Sequence, residues 1–326
     1  MRMNLGALGR FLFMNAFQKG DMKKIFLLLL VLWLATGCAA SPVQASSAEK
    51  YIESDIETLP SPTPLPSPTH IPPTEKPAPA LPTPTQVQTP TLVPTPAWVR
   101  KGPGEVTCPI LLYHRIAILD KPSAYAVSPT EFRGQMQKLK EWGYTSITPS
   151  QLVDAIRNGA PLPQRPVVIS FDDGDITVFS DAYPIMQEFG FVGVNYLVAN
   201  YVNAEGYMTV DQLKILSAAG WETGSHTMSH RDLTTAKNAD WQLEQSRVDL
   251  EAMLGVPVTT MAYPYGISNE DIRLLASNYY RAGMGLGVSL VQGQRNLYYL
   301  WRRPVKPGWD AREFGSYLPW AGPLKP

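Results

Sequence analysis

The sequence predicts an α/β domain built on a parallel sheet, either open or closed into a barrel. Three observations predict it. From residue 109 onward, short apolar runs alternate with segments of helical periodicity. Ser/Thr-x-x-Glu/Gln pairs mark helix starts between those runs. A proline-rich tract confines the folded part to residues 98–326: 14 of the 31 prolines fall between Pro60 and Pro96, a window whose only charges are Glu75 and Lys76. Such a tract cannot bury enough apolar surface to offset the entropy of folding. The expected organisation is a leader (1–38), a Pro/Thr-rich disordered stalk (39–97) and one folded domain (98–326).

Met22-Lys23-Lys24 precedes eleven apolar residues, Ile25 to Ala35, and then Thr36-Gly37-Cys38. A short basic region, an apolar run and small residues are the parts of a secretory signal. The run falls short of the roughly 20 residues of a membrane span. Ala35-Thr36-Gly37-Cys38 resembles a bacterial lipobox, with alanine where leucine is usual. That implies lipidation at Cys38, an extracytoplasmic location and attachment to the cell membrane through the lipid. Met22 opens a better signal than Met1, so both are kept as starts. In the stalk, Ser-Pro and Thr-Pro pairs favour extended polyproline II. At roughly 3.1 Å per residue the tract would reach on the order of 100 Å.

Within the domain, Pro109–Tyr113 is fit for a buried strand. Ser128-Pro129-Thr130-Glu131 is a capping box with proline at the first helical position, and Phe132, Met136 and Leu139 mark one face before Gly143. Thr148-Pro149-Ser150-Gln151 repeats the device ahead of Leu152, Val153 and Ile156. Val167–Phe171 reads as a strand, Asp181–Phe189 as a helix closed by Gly190, and Val192–Val198 as a strand. A helix over Thr209–Ala219 opens on the Thr209/Gln212 box, strand-like Trp221–Ser225 follows, and a longer helix covers 239–254. Thr259–Ala262 reads as a strand and Asn269–Ser277 as a helix; beyond 281 the pattern assigns no strand. Lys+Arg and Asp+Glu both number 28, which weighs against nucleic acid as a partner. Two cysteines, far apart, exclude a disulfide scaffold, and Cys108 reads as a small buried hydrophobe. A monomer is expected.

The chemistry collects where strands end. Asp172-Asp173-Gly174 closes the strand from Val167, at the edge where parallel α/β folds place their sites. By itself Asp-Gly is a common turn pair. His226 and His230, an i, i+4 pair after Trp221–Ser225, are spaced to face one metal ion from a helical turn. Of the four histidines, His70 lies in the proline tract, and the other three, His114, His226 and His230, all follow strand segments. Two imidazoles and one carboxylate make a three-ligand site with an open position, as catalytic zinc requires.

Taken together, Ser170-Phe171-Asp172-Asp173-Gly174, His226-Thr227-Met228-Ser229-His230 and Met261-Ala262-Tyr263-Pro264-Tyr265-Gly266 resemble the successive motifs of polysaccharide deacetylases with a NodB-type homology domain. Leu112-Tyr113-His114-Arg115 resembles the branch acting on poly-N-acetylglucosamine. The resemblance implies a distorted (β/α) barrel of about seven parallel strands. It implies a hydrolase that removes acetyl groups from sugar amides with a divalent metal, Zn²⁺ first, Co²⁺ or Ni²⁺ as alternatives. By that resemblance Asp172 is the general base, Asp173, His226 and His230 hold the metal, and the Tyr265 N–H serves the oxyanion.

Three departures stand out. Ala262 occupies the place of an arginine that orients the base in most relatives, so Arg302 or Arg303 is the expected substitute from another strand. No histidine follows His230, so the usual C-terminal acid is missing. His114 is then the acid, or else a backbone-bonded histidine that shapes the pocket. Asp175 replaces an aromatic, and Asn195-Tyr196 replaces a Thr-Phe pair. Trp221, Trp301, Trp309 and Trp320 are read as core or sugar-stacking residues. The expected partner is an acetylated polysaccharide, poly-N-acetylglucosamine first and peptidoglycan second. The rival readings are an O-acetyl esterase on xylan-like glycans and a carbohydrate-binding protein without turnover; the latter predicts loss of Asp172 or a metal ligand, and none is lost.

Overall fold

The computed structural model describes residues 98–324. The expected signal segment with Cys38 and the stalk lie outside the described residues. Seven strands, β1 (Ile110–Tyr113), β2 (Pro166–Asp173), β3 (Val194–Leu197), β4 (Glu222–Ser225), β5 (Thr260–Ala262), β6 (Ala282–Leu286) and β7 (Leu300–Pro304), pair in parallel in chain order. The first strand bonds both the second and the last, with Tyr113 opposite Phe171 and Leu111 opposite Arg303, so the sheet closes into a barrel. The expectation of a (β/α) barrel with about seven strands is met.

Helices α1 (Pro129–Glu141) and α2 (Pro149–Asn158) lie between the first two strands. Then α3 (Tyr183–Phe189), α4 (Val210–Ala218), α5 (Ala239–Leu254) and α6 (Glu270–Ala276) each link the next pair. A 3-10 segment, Gln294–Tyr299, replaces the last linking helix, and α7 (Ala311–Gly315) follows the barrel. The boxes at Ser128/Glu131, Thr148/Gln151 and Thr209/Gln212 start α1, α2 and α4 as the sequence signals require. The expected Asp181–Phe189 helix starts as a π-turn over Val178–Ala182 before α3, and β3 is shorter than the apolar run that suggested it.

The strand pleat sorts the core into two clusters. Ile110, Val168, Val194, Ala262, Met284 and Leu300 fill the barrel interior. Leu111, Ile169, Phe171, Leu197 and Met261 pack outward against Phe132 and Met136 of α1, Leu213 of α4 and Leu250 of α5. Trp221 belongs to this outer layer, 5% exposed and stacked on Phe171, so of its two readings it takes the core one. Cys108 is a buried free thiol.

Candidate active site

Parallel closure brings the C-terminal ends of all seven strands to one rim. β2 runs on through Asp172 and Asp173, two residues further than the apolar run suggests. Asp172 faces the interior and is 2% exposed. Asp173 takes a left-handed φ of 73°, and Gly174 follows at 87°, which turns the second carboxylate out of the strand's alternation. His226 follows β4, and its N–H donates to the Leu197 carbonyl at 2.7 Å.

The two histidines meet by a route the i, i+4 spacing did not specify. Residues 226–230 form a loop, not a helical turn, with φ of 71° at Thr227 and 55° at His230. Ser225 Oγ accepts from the Thr227 N–H, Thr227 Oγ1 accepts from the His230 N–H, and Gln242 of α5 grips Ser229 through both its amide atoms. These bonds hold the imidazole centroids 4.8 Å apart. Nothing in the sequence pattern marks Gln242 for this task.

Asp173, His226 and His230 bring one ligand atom each to within 4.8 Å of one another. His226 Nδ1 lies 2.7 Å from the Ala262 carbonyl, to which it donates, so the lone pair of Nε2 is turned to the site. Asp173 Oδ1 lies 3.8 Å from His226 Nε2 and 3.5 Å from His230 Nε2. Four ligands at about 2.0–2.2 Å from a tetrahedral zinc stand roughly 3.3–3.6 Å apart. Asp173 Oδ1 is buried and takes no hydrogen bond among the described residues. An orphaned carboxylate oxygen beside two imidazole nitrogens, one of them the lone-pair-bearing Nε2 of His226, is costly without a cation. The donor set therefore fits a small divalent metal.

Beside this set, Arg302 of β7 clamps Asp172 from across the barrel. Nη1 donates to Oδ1 at 2.5 Å and Nη2 to Oδ2 at 2.7 Å. Arg303, the other candidate for this task, points outward, bonds the Tyr317 carbonyl and stacks on the Tyr317 ring. The correction follows from the pleat: adjacent residues of a strand face opposite sides, and only Arg302 faces in.

Electrostatics separate the neighbouring carboxylates. Burial pushes Asp172 up, but the charges of Arg302 and His226 and the Arg302 hydrogen bonds outweigh it and hold Asp172 at about 2. Burial and the Asp172 charge push Asp173 up to about 6. Burial lowers His226 to about 4, and it lowers His230 as well, so both imidazoles are neutral near pH 7.

These groups open into a cavity of about 490 Å³ whose other wall is Leu112, Leu286, Pro304 and Val305, with Tyr125 and Lys306 at its margin. His114 lines it too, its ring edge-on to Tyr125 at 4.9 Å, and it stands outside the three-ligand group. Tyr265 sits in a turn with φ 61°, its ring 4.6 Å from His230. In that turn the Gly266 N–H donates to Tyr263 and the Ile267 N–H to Pro264, and neither bond uses the Tyr265 N–H. Trp301 lies outside this cavity, against the 3-10 segment.

Comparison with known proteins bears on the family and the fold. Residues 159–282 match the family model for polysaccharide deacetylase. YxkH of Bacillus subtilis, a relative classed with the polysaccharide deacetylases, is 26% identical over 226 residues, covering 68% of this chain and 79% of its own length. The poly-β-1,6-N-acetyl-D-glucosamine N-deacetylase of Staphylococcus aureus is 26% identical over 193 residues, 54% of this chain and 66% of that protein. Among solved structures, BA0330 of Bacillus anthracis, also named for polysaccharide deacetylase, superposes with a TM-score of 0.60 at 26% identity, covering 66% of this chain and 69% of the other.

Proposed function

We propose, from the premise that this chain belongs to the polysaccharide deacetylase family, that it is a metal-dependent N-deacetylase acting on a poly-N-acetylglucosamine-like polysaccharide. The observation that carries the reading is the orphaned Asp173 Oδ1 between two imidazoles, next to a second carboxylate held ionised by Arg302. The named activity of the S. aureus relative supports the glycan class. The cavity volume lies within the range of small-molecule sites.

Asp173, His226 and His230 would hold the cation, with Zn²⁺ suited to two nitrogens and one oxygen and Co²⁺ or Ni²⁺ as substitutes. When bound, it would supply a water of lowered pKa and polarise the acetyl carbonyl. Asp172 takes the proton of the attacking water. Arg302 keeps that carboxylate ionised and in one orientation, so no reorganisation is needed as the reaction proceeds. The Tyr265 N–H donates to the oxyanion; one such donor typically contributes about 3–4 kcal/mol. His114, on the cavity wall, gives its own proton to the leaving amine, and exchange with solvent then removes the proton Asp172 took and reprotonates His114. Cys38 carries the lipid that anchors the enzyme outside the cytoplasm, and the stalk sets its reach.

The test is acetate release from N-acetylglucosamine oligomers by the purified full chain loaded with Zn²⁺ or Co²⁺. Release that depends on metal is expected. A protein with one metal per chain that frees no acetate from N-acetylglucosamine oligomers, peptidoglycan or acetylated xylan overturns the reading, and release from xylan alone reassigns it to ester chemistry.

A further inference from the structure

Arg302 has a second face. Its guanidinium carbon lies 5.3 Å from the centroid of the Tyr196 ring, on the inner side of β3. Arg302 is 1% exposed and Tyr196 fully buried, so this cation–ring contact is desolvated, where such contacts are strongest. Room for the ring comes from β4: a Cβ at Gly224 would sit 2.3 Å from Tyr196 Cε1. The phenol end is tied down as well. Tyr196 Oη is 3.3 Å from Thr260 Oγ1, which donates to Glu222 Oε1 at 3.2 Å. Glu222 Oε2 accepts the Ser150 N–H at 2.9 Å, at the first turn of α2. An interior column thus runs from the barrel floor to the base: α2, Glu222, Thr260, Tyr196, Arg302, Asp172.

The column answers a mechanical problem. Arg302 reaches Asp172 across the barrel, and a long side chain has rotamer freedom that two bonds to a carboxylate do not fully remove. Its Nε bonds the Gly285 carbonyl at 3.3 Å, which fixes the base of the fork. The Tyr196 ring supports the fork's remaining side. We propose that Tyr196, anchored through Thr260 and Glu222, is a positioning residue that holds the Arg302 guanidinium, and through it the Asp172 carboxylate, in the orientation the reaction needs. Tyr196 touches neither substrate nor metal in this role. The inference deepens the proposed deacetylase reading and rests on it for its kinetic part.

The experiment compares Tyr196→Leu and Tyr196→Phe in the full, metal-loaded chain, with and without Arg302→Met. Tyr196→Leu is expected to lower kcat about 10- to 100-fold, as small misplacements of catalytic groups do, with KM within about threefold and metal content unchanged. Tyr196→Phe keeps the ring against Arg302 but loses the Oη link to Thr260, and is expected to lose no more than about tenfold in kcat, less than Tyr196→Leu. In the Arg302→Met background, Tyr196→Leu is expected to add less than about threefold, because its effect travels through the arginine. Full additivity in that cycle, or a Phe variant as impaired as Leu, overturns the proposal. If wild type frees no acetate, the functional reading fails, while wild type, Tyr196→Leu, Arg302→Met and the Tyr196→Leu/Arg302→Met double variant still decide the inference by melting. Tyr196 and Arg302 replacements must be non-additive in Tm, and additive shifts refute it.

Discussion

Replacing Arg302 by methionine keeps the volume of the side chain and removes its charge. In the folded protein Asp172 would then remain at 2% exposure, with Asp173 beside it and both Arg302 hydrogen bonds gone. Breaking a buried pair from one side costs about 3–5 kcal/mol, because the other charge stays buried and unpaired. At roughly 2–4 °C per kcal/mol for a domain of this size, Tm should fall by about 6–20 °C. Burial, no longer opposed by Arg302, would drive Asp172 upward from about 2 and leave it a partly protonated, loosely oriented base. Acetate release should drop at least about a hundredfold in kcat/KM. Thermal melts and initial rates read the two effects. The double replacement Arg302→Met/Asp172→Asn should regain most of the lost Tm, since the unpaired charge is gone, while staying inactive. A single variant melting within about 2 °C of wild type, or a double variant no more stable than the single, would refute the account of Arg302 as a charge clamp.

Three further outcomes follow from the site. Without metal, Asp173 is raised to about 6, so its contribution to stability is full below its ordinary pKa and is lost as pH rises through 6. His226, lowered to about 4, contributes stability above its ordinary pKa of about 6.5 that is lost as pH falls through 4. The two slopes oppose each other between about pH 4 and 6, so in metal-free protein the Asp173 and His226 contributions to Tm should nearly cancel there. Zn²⁺ needs Asp173 ionised and the imidazoles neutral, so the Tm gain on adding Zn²⁺ should grow with pH across that window; a constant gain, or Zn²⁺ retained by Asp173→Asn at wild-type content, contradicts the ligand set. His114→Ala should lower kcat about 10²-fold with metal content unchanged; loss of the metal would instead place His114 among the ligands.

The legibility of the molecule was uneven for reasons that particular residues show. Capping boxes are local, satisfied within four residues, and α1, α2 and α4 start where Ser128, Thr148 and Thr209 place them. β6 and β7 were illegible. Gly283 and Gly285 weaken β6 as a strand signal, yet they are required there: a Cβ would sit 2.6 Å from the Tyr263 hydroxyl or 2.4 Å from the Tyr299 ring. β7 reads Leu-Trp-Arg-Arg-Pro, and an arginine inside a barrel makes sense only once Asp172 lies opposite.

The identity of the reacting groups was a property of the chain: two carboxylates before a glycine and two imidazoles four apart carry the same chemistry wherever they fold. Their arrangement was not. Which arginine faces Asp172 depends on the pleat of β7, how His226 meets His230 depends on left-handed Thr227 and His230 in a loop whose Ser229 is held by Gln242, and the orphaning of Asp173 Oδ1 depends on burial by the closed barrel. Local hydrogen bonds write themselves into neighbouring residues. Contacts between strands 130 positions apart, such as Asp172 with Arg302, exist only because closure of the sheet makes distant segments adjacent.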